Sequence, residues 1–365
     1  MQNPVKKRVL IVDDAVVVRK TLTDLIARDP ALEVVGTAAN GRIALAKFSS
    51  LRPDIVLLDI EMPEMTGLEA LPELRKLAPR VPIIVFSTLT ERGAEATLDA
   101  LSLGATDYIT KPSNSDMGST AESVSRELIP KIKVLCGLRD SSVMPPGPSA
   151  PTVPAVPVIR PPRIARPLLR VQVVAIGVST GGPDALAVVL PALPADFSLP
   201  VVIAQHMPPL FTALLASRLT AKCALPVREC QPGQPLEPGC MWIAPGDRHM
   251  VVKEENGVAK LHTHQGPKEN FCRPSVDVLF RSVAQVYGGR CLAVVLTGMG
   301  QDGLKGCEAL YARGARIMVQ DEATSVVWGM PGFVARSGLA DKVLPLDKIG
   351  PEIVGVAANQ LAAHP

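Results

Sequence analysis

Two groups of residues in this chain have the side-chain types and the spacing that chemistry requires. Asp13 and Asp14 follow a run of apolar residues near the start, and a second apolar run ends on Asp59. Far downstream, the segment Gly177–Gly182 begins with the pattern G-x-S-x-G, which places Ser179 at its centre. Clustered carboxylates suit a hard cation and a phosphoryl acceptor, whereas a serine exposed after a strand suits attack on a carbonyl. The residues therefore predict two different reactions in two halves of one chain.

Other predicted strand ends in the first half supply the remaining groups that phosphoryl transfer needs. Ser87 and Thr88 offer hydroxyls after one strand, and Lys111 offers a positive charge after another. In phosphoryl transfer, positioning and charge neutralisation do most of the catalysis. A single aspartate is more often a helix cap or a solvated loop residue, but groups of this kind at successive strand ends favour a site for Mg²⁺ and phosphate.

The serine requires a base, because a hydroxyl alone is a weak nucleophile. His206 follows the apolar run Val201–Ala204, and Asp302 follows the apolar run Leu292–Leu296 and a glycine-containing loop. The carboxyl ends of parallel strands lie at one edge of a sheet, so these side chains are expected to meet Ser179 there. The spacing thus predicts a Ser-His-Asp triad in that chain order.

Two alternative interpretations fit less well. An α/β-hydrolase has the order Ser…Asp…His and would need a base among the later histidines, none of which follows an obvious strand: His249, His262, His264 and His364. A dinucleotide-binding loop fails on spacing, because Ser179 occupies the place of the second glycine in G-x-G-x-x-G. Each residue of the triad also has a reasonable structural role when it is considered alone. Ser179 could cap a helix, His206 could be a core histidine, and Asp302 could be a loop residue. Their coincidence at strand ends favours the triad.

The composition excludes several classes of protein. The chain has 365 residues, 47% of them hydrophobic, which predicts two domains with packed cores. No apolar stretch is long enough to span a bilayer and no signal peptide is evident, so we expect a cytoplasmic protein without membrane insertion. Seven scattered cysteines without C-x-x-C spacing predict reduced thiols. Basic and acidic residues balance at 18 each over 1–139 and at 16 each over 171–365, which argues against nucleic-acid binding.

Proline content divides the chain. Nine prolines between residues 141 and 170 preclude helix interiors and central strands, so we predict a linker over 140–170 between domains 1–139 and 171–365. The predicted strands before it are Val9–Val12, Glu33–Thr37, Ile55–Leu58, Ile83–Phe86 and Tyr108–Ile109. The predicted strands after it include Val171–Ile176, Val201–Ala204, Leu292–Leu296 and Ile317–Val319. Helical patterns alternate with both sets, which predicts two doubly wound α/β domains, the second with a β-rich insertion or edge hairpin within 223–265.

Residues 7–135 resemble a response-regulator receiver domain, which is a flavodoxin-like (βα)5 fold. The resemblance is carried by Asp13-Asp14, by Asp59 ahead of Met62-Pro63 and Gly67, and by Lys111-Pro112. It implies that Asp59 accepts a phosphoryl group from a chemotaxis histidine kinase. It also implies a Mg²⁺ ion bound by Asp14, by Asp59 and by the backbone carbonyl of Glu61, with Asp13 reaching it through water. Ser87 and Tyr108 match the pair of switch residues, and Lys111 matches the phosphate contact.

Residues 171–355 resemble the catalytic domain of the chemotaxis protein-glutamate methylesterase family. The matching segments are Gly177–Gly182, Gln205–Pro208, Ala244–His249, Cys272–Asp277, Leu296–Gly303, Gln320-Asp321 and Trp328–Pro331. The resemblance implies that Ser179 is the nucleophile, His206 the base and Asp302 the group that orients it. Thr180 and Met299 are implied to flank the oxyanion, and no cofactor is implied for this domain.

Together the two resemblances imply an enzyme of chemotactic adaptation. Its substrates would be glutamate γ-methyl esters, and glutamines for deamidation, on the cytoplasmic helices of methyl-accepting chemoreceptors. Phosphorylation of Asp59 would relieve occlusion of the active site by the receiver, and we expect a monomer. Two alternatives stay open: an esterase of a non-flagellar chemosensory array, and a regulator that acts only by docking.

Overall fold

The chain forms two compact units, Met1–Gly147 and Pro148–Pro365. The computed structural model describes residues 6–111, 117–138 and 169–361. The predicted linker at 140–170 lies outside the described residues except for its last two positions. The predicted domain limits therefore stay predictions, and each unit is described by itself.

A five-stranded parallel sheet forms the centre of the first unit. Its strands are β1 (Lys7–Val12), β2 (Leu32–Ala38), β3 (Ile55–Asp59), β4 (Ile83–Ser87) and β5 (Asp107–Thr110). The strand order is β2-β1-β3-β4-β5, and all neighbours are parallel. Strands β3 and β4 are buried along their whole length, because helices cover both faces of such a sheet. The predicted doubly wound fold is confirmed.

The helices of this unit alternate with its strands. They are α1 (Val16–Ile26), α2 (Gly41–Leu51), α3 (Gly67–Leu77), α4 (Glu91–Ser102) and α5 (Met117–Leu135). Asn40 caps α2 and Thr90 caps α4, each through its side chain. Thr66 and Glu69 form a reciprocal capping box at α3, which fixes where the chain turns after β3.

A seven-stranded parallel sheet forms the centre of the second unit. Its strands are β6 (Val173–Val178), β7 (Val201–Gln205), β8 (Val227–Glu229), β9 (Met241–Ile243), β12 (Cys291–Val295), β13 (Arg316–Gln320) and β14 (Lys342–Leu344). Their order is β14-β13-β12-β6-β7-β9-β8. Strand β6 ends two residues later than the apolar run suggests, so Ser179 follows it directly. Strand β14 lacks an apolar run because it is a short, largely exposed edge strand, and the sequence did not predict it.

The predicted β-rich segment holds an antiparallel hairpin of β10 (His249–Glu255) and β11 (Val258–His264). The helices of the unit are α6 (Gly182–Val189), α7 (Phe211–Thr220), α8 (Val276–Tyr287), α9 (Leu304–Tyr311), α10 (Met330–Arg336) and α11 (Leu346–Leu361). Buried residues of the hairpin, including Met250 and Leu261, belong to the same apolar core as Leu279 and Val283 of α8. Over the residues described, no helix has both the length and the apolarity to cross a membrane.

The strand order of the second unit reverses at β6. From β6 the chain moves to β7 on one side, and later to β12 on the other. Ligands of open α/β sheets bind outside the carboxyl ends of the strands at such a reversal. The carboxyl end of β6, flanked by the ends of β7 and β12, is therefore where the fold places a site.

Candidate active site and acidic cluster

Ser179 sits in a tight turn between β6 and α6. Its backbone N–H donates to the Thr297 carbonyl at 3.0 Å, and its own carbonyl accepts from the Gly182 N–H at 2.8 Å. The Gln205 side-chain amide also donates to that carbonyl, at 3.0 Å. Gly181 has a φ of 76°, and a Cβ at Gly182 would collide with the Gln205 side chain. The two glycines are therefore needed to form the turn, and α6 is capped by Gly181 and not by Ser179.

His206 follows β7 at the neighbouring strand end. Its backbone N–H donates to the Val178 carbonyl at 3.2 Å, which places it beside the residue that precedes Ser179. Its ring lies between two partners, with Nε2 at 2.8 Å from Asp302 Oδ2 and Nδ1 at 3.4 Å from Cys272 Sγ. Because a carboxylate only accepts hydrogen bonds, Nε2 carries the proton and Nδ1 is the acceptor in the neutral ring.

Asp302 is buried and fully hydrogen-bonded. Besides His206, its carboxylate accepts from the Asn270 amide, the Ser275 hydroxyl and the backbone N–H groups of Val276, Asp277 and Gly303, at 2.7–3.1 Å. Burial alone would raise the pKa of Asp302, but His206 and these backbone donors lower it well below its ordinary value. Asp302 therefore stays ionised, and it holds the His206 ring in one orientation.

The described geometry pairs His206 with Asp302 but does not pair Ser179 with His206. Among the residues that the structure describes, the Ser179 hydroxyl makes no hydrogen bond, and His206 Nδ1 faces Cys272 instead. Burial lowers the pKa of His206, but the Cys272 sulfur and the Asp302 carboxylate raise it by more, so the net direction is upward.

Three neighbours of His206 and Asp302 were assigned no role from the sequence. Cys272 contacts His206, while the Asn270 side chain bridges Asp302 at 3.0 Å and Asp277 at 2.9 Å. Burial and the charge of Asp302 raise the pKa of Asp277 to about 6. The segment containing Cys272 and Asp277 did match the family resemblance. Its role was not readable, because it depends on a loop that closes from 66 residues away.

Of the two residues predicted to flank the oxyanion, one is adjacent to Ser179 in sequence and the other belongs to a loop that packs against it. Thr180 is the next residue, and its carbonyl accepts from the Thr297 hydroxyl at 3.0 Å. Met299 follows Gly298, where an added Cβ would lie 2.8 Å from the Ser179 Cβ. The loop after β12 thus abuts Ser179, while the oxyanion roles of Thr180 and Met299 stay predictions.

The other histidines that the sequence offers have different positions. His249 is buried, accepts from the Ser275 N–H at 3.2 Å and contacts the Pro267 carbonyl at 2.9 Å. His262 pairs with Glu255 at 3.0 Å on the hairpin, and His264 is exposed at its end. His364 lies outside the described residues. Among the described residues, no hydrogen bond or ion pair joins these three alternatives to Ser179.

In the first unit, the three predicted aspartates gather at one edge of the sheet. Carboxylate oxygens of Asp13, Asp14 and Asp59 lie within 4.8 Å of one another. Lys111 Nζ lies 3.1 Å from Asp13 and 2.7 Å from Asp59. Three carboxylates against one lysine leave excess negative charge, and oxygen donors are what Mg²⁺ prefers, so the donor set fits that ion.

Burial raises the pKa of Asp59, with Lys111 opposing the rise and Asp13 adding to it. Burial lowers the pKa of Lys111, but Asp59 and Asp13 outweigh it, so the lysine is held in its charged form. The cluster opens into a cavity of about 340 Å³ whose lining includes Asp14, Asp59, Glu61, Ser87 and Lys111. An aspartate and a lysine charge thus face a space large enough for a phosphoryl group.

The predicted switch residues occupy different surroundings. Ser87 lines the cavity and donates to the Gly93 carbonyl at 3.0 Å. Tyr108 is buried on β5, where Lys131 Nζ lies 5.5 Å from its ring centroid. The structure therefore places Ser87 with the acidic cluster and Tyr108 against α5, and their pairing as a switch stays a prediction.

Comparison with known proteins identifies a domain of known family in each half of the chain. Residues 174–353 match the family model described as CheB methylesterase, and residues 9–121 match the response regulator receiver domain. A protein-glutamate methylesterase/protein-glutamine glutaminase of Trichodesmium erythraeum is 49% identical over 356 residues, which are 96% of this chain and 98% of that protein. A protein of the same name from Nocardioides sp. is 51% identical over 354 residues, and the match covers 97% of this chain and 96% of that protein.

One solved structure covers the second unit. The methylesterase catalytic domain of Thermotoga maritima CheB is 41% identical and superposes with a TM-score of 0.50, spanning 52% of this chain and 100% of that domain. The residues that match the methylesterase family model, 174–353, include Ser179, His206 and Asp302. With near-complete coverage by two relatives at about half identity, this chain belongs to the protein-glutamate methylesterase/protein-glutamine glutaminase family with an N-terminal receiver domain.

Proposed function

We propose that this chain hydrolyses glutamate γ-methyl esters, and deamidates glutamines, on the cytoplasmic helices of chemoreceptors, with Ser179, His206 and Asp302 as its catalytic triad. The observation that carries the proposal is the 2.8 Å contact of His206 with the buried, ionised Asp302, one strand end away from Ser179. An ionised carboxylate fixes the tautomer in which the other ring nitrogen is basic and can accept a serine proton.

The residues divide the reaction between them. Ser179 Oγ attacks the ester carbonyl while His206 Nδ1 takes the hydroxyl proton, and that proton then leaves on methanol. Water attacks the resulting acyl-enzyme with His206 again as base, which releases glutamate and regenerates Ser179. Asp302 stabilises the imidazolium that forms in each half-reaction. For a glutamine substrate the same steps release ammonia.

The triad is tested by removing its members singly and together. Ser179→Ala, His206→Ala and the double variant should each lower kcat by a similar large factor, because the residues act as one unit. The measurement is methanol release from a methylated receptor fragment. Near-native methanol release by Ser179→Ala would show that the nucleophile lies elsewhere.

The first unit is proposed to control this reaction through Asp59. A carboxylate oxygen of Asp59 would accept the phosphoryl group of a histidine kinase, with Lys111, now 2.7 Å away, neutralising its charge. Asp14, Asp59 and the backbone carbonyl of Glu61 would hold Mg²⁺, and Asp13 would reach it through water. When bound, the ion supplies positive charge that stabilises the transferring group. The carboxylate cluster and its cavity support this role.

A further inference from the structure

Phe271 is the most exposed large apolar side chain among the described residues, with 90% of its surface accessible. Its two neighbours both contact the candidate active site: Asn270 through Asp302 and Cys272 through His206. A single exposed apolar side chain needs no explanation on an ordinary surface. Phe271 is different, because the residues on either side of it contact Asp302 and His206.

The turn that carries this ring is strained. Glu269 and Cys272 exchange two backbone hydrogen bonds, of 3.2 and 2.8 Å, and close a two-residue turn. The two residues between them, Asn270 and Phe271, have φ values of 50° and 64°. Positive φ at both central positions is the pattern of a type I′ turn, which favours Asn followed by Gly. Asparagine tolerates this conformation, but an aromatic residue rarely adopts it.

The same unit contains a turn that follows the rule. Between β10 and β11, the paired residues Glu255 and Val258 flank Asn256 and Gly257, with φ values of 53° and 78°. Where only a connection is needed, this unit uses Asn-Gly. At 270–271 phenylalanine takes the place of glycine and gains almost no burial in return. A strained residue without a packing role indicates a function.

The turn is also fixed relative to the catalytic residues. Its Asn270 amide bridges Asp302 and Asp277, and Arg281 pairs with Glu269 at 2.6 Å. Arg273, which follows the turn, pairs with Asp247 at 2.6 Å. Because these flanking charges are already matched within the unit, the turn presents outward an apolar ring on a backbone that is held in place.

We propose that Phe271 is an anchor for the substrate protein, packing against apolar side chains of the polypeptide beside the esterified glutamate. The proposal rests on the proposed function. Only a short side chain separates a glutamyl ester from its backbone, so that backbone must pass over the rim next to Ser179. Rigid aromatic side chains are the usual anchors of such contacts.

Two variants at the turn test this proposal. Phe271→Asn and Phe271→Gly both remove the ring and suit positive φ, so the turn should persist, and the glycine variant should unfold at an equal or higher Tm. We expect kcat/KM for a methylated receptor fragment to fall on the order of tenfold, mainly through KM. Methanol release from a capped amino acid, N-acetyl-glutamate γ-methyl ester amide, should stay within about twofold.

Matched measurements separate the possible outcomes. Val258→Asn removes a 43% exposed apolar side chain beside the other turn. It should leave the rate of methanol release from both substrates unchanged. The rate at which a fluorophosphonate labels Ser179 gives a second readout that needs no protein substrate. Equal loss on both substrates, or no loss on the receptor fragment, would overturn the anchor. So would faster hydrolysis of the capped ester by Phe271→Asn in the unphosphorylated full chain, since that would identify the receiver as the occupant. Failure of Ser179→Ala to abolish activity would instead refute the triad, independently of Phe271.

Discussion

Nδ1 of His206 can accept a proton from either of two groups, which differ in acidity. In the neutral ring Nδ1 can accept a proton from the Ser179 hydroxyl, as the proposed reaction requires, but the structure sets it 3.4 Å from the Cys272 thiol. That thiol also lies 3.3 Å from the Asn270 carbonyl, so it has an alternative acceptor for its proton. A thiol is more acidic than a serine hydroxyl, and it therefore competes effectively for an imidazole.

Cys272→Ala should move the acid limb of the pH profile of kcat/KM to lower pH. The Cys272 sulfur contributes to the raised pKa of His206, so its removal lowers that pKa. The base works in its neutral form, which exists above its pKa, so activity should then persist to lower pH. The other charged or titratable neighbours of the ring, Asp302 and, behind it, Asp277, are unchanged by the substitution.

The profile is measured by methanol release across the pH range. Cys272→Ser keeps an oxygen at this position that can accept a hydrogen bond from the protonated ring, so it should shift the limb less than alanine does. Cys223→Ala, in the loop after α7, removes a half-buried thiol away from the ring and should leave the limb in place. An unshifted limb in Cys272→Ala would contradict a role for the thiol in tuning His206.

At the scale of elements, the site depends on how closely the loop after β12 approaches the turn after β6. A Cβ at Gly298 would lie 2.8 Å from the Ser179 Cβ and 3.2 Å from its backbone nitrogen. The Ser179 backbone cannot easily move away, because hydrogen bonds to Thr297 and Gln205 hold it. The absence of a side chain at Gly298 is therefore what lets the two strand ends meet.

Gly298→Ala should lower kcat by about one to two orders of magnitude, because small displacements of a nucleophile are costly. It should also lower the free energy of unfolding by about 1–3 kcal/mol through overpacking. Gly355→Ala is the matched control, since nothing lies within 4 Å of a Cβ there and α11 should gain about 0.5–1 kcal/mol. Urea unfolding and methanol release measure the two effects. A Gly298→Ala variant as active and stable as Gly355→Ala would refute the close approach.

The parts of this site that the sequence predicts are those that depend on local pattern. Apolar runs located β6, β7 and β12, and parallel strands bring their carboxyl ends to one edge, so Ser179 and His206 were predicted to be neighbours. Cys272 and Asn270 were not, because their partners depend on a loop closing across the sheet. The left-handed conformation of Phe271 was equally hidden, since phenylalanine gives no turn signal.

At the scale of the whole molecule, the described residues form two hydrophobic cores that share no residue. One consists of residues from the first unit, such as Val9 and Leu57, and the other of residues from the second, such as Val173 and Phe280. Basic and acidic side chains balance within each half, so neither carries a charge excess that would require the other. Units with separate cores are expected to fold alone.

A chain that begins at Leu169 should therefore fold and hydrolyse esters without the receiver. Starting there keeps Leu169, whose side chain approaches Gly289, and the buried Val171. If the receiver occludes the active site, the shortened chain should release methanol faster than the unphosphorylated full chain. The gain should be modest if residues 140–170 form the predicted linker, because a long linker would lower the effective concentration of the receiver at the site.

The matched control is Asp59→Asn in the unshortened chain, which lacks the proposed acceptor carboxylate while keeping the proposed triad. It should show the basal rate of the full chain with or without a small-molecule phosphodonor and Mg²⁺, whereas the unmodified chain should be accelerated toward the rate of the shortened one. Phosphodonor activation that survives in Asp59→Asn would place the acceptor elsewhere. A shortened chain no faster than the unphosphorylated full chain would exclude occlusion. Activation would then have to come from direct stimulation of the esterase, or from delivery of the enzyme to its receptor.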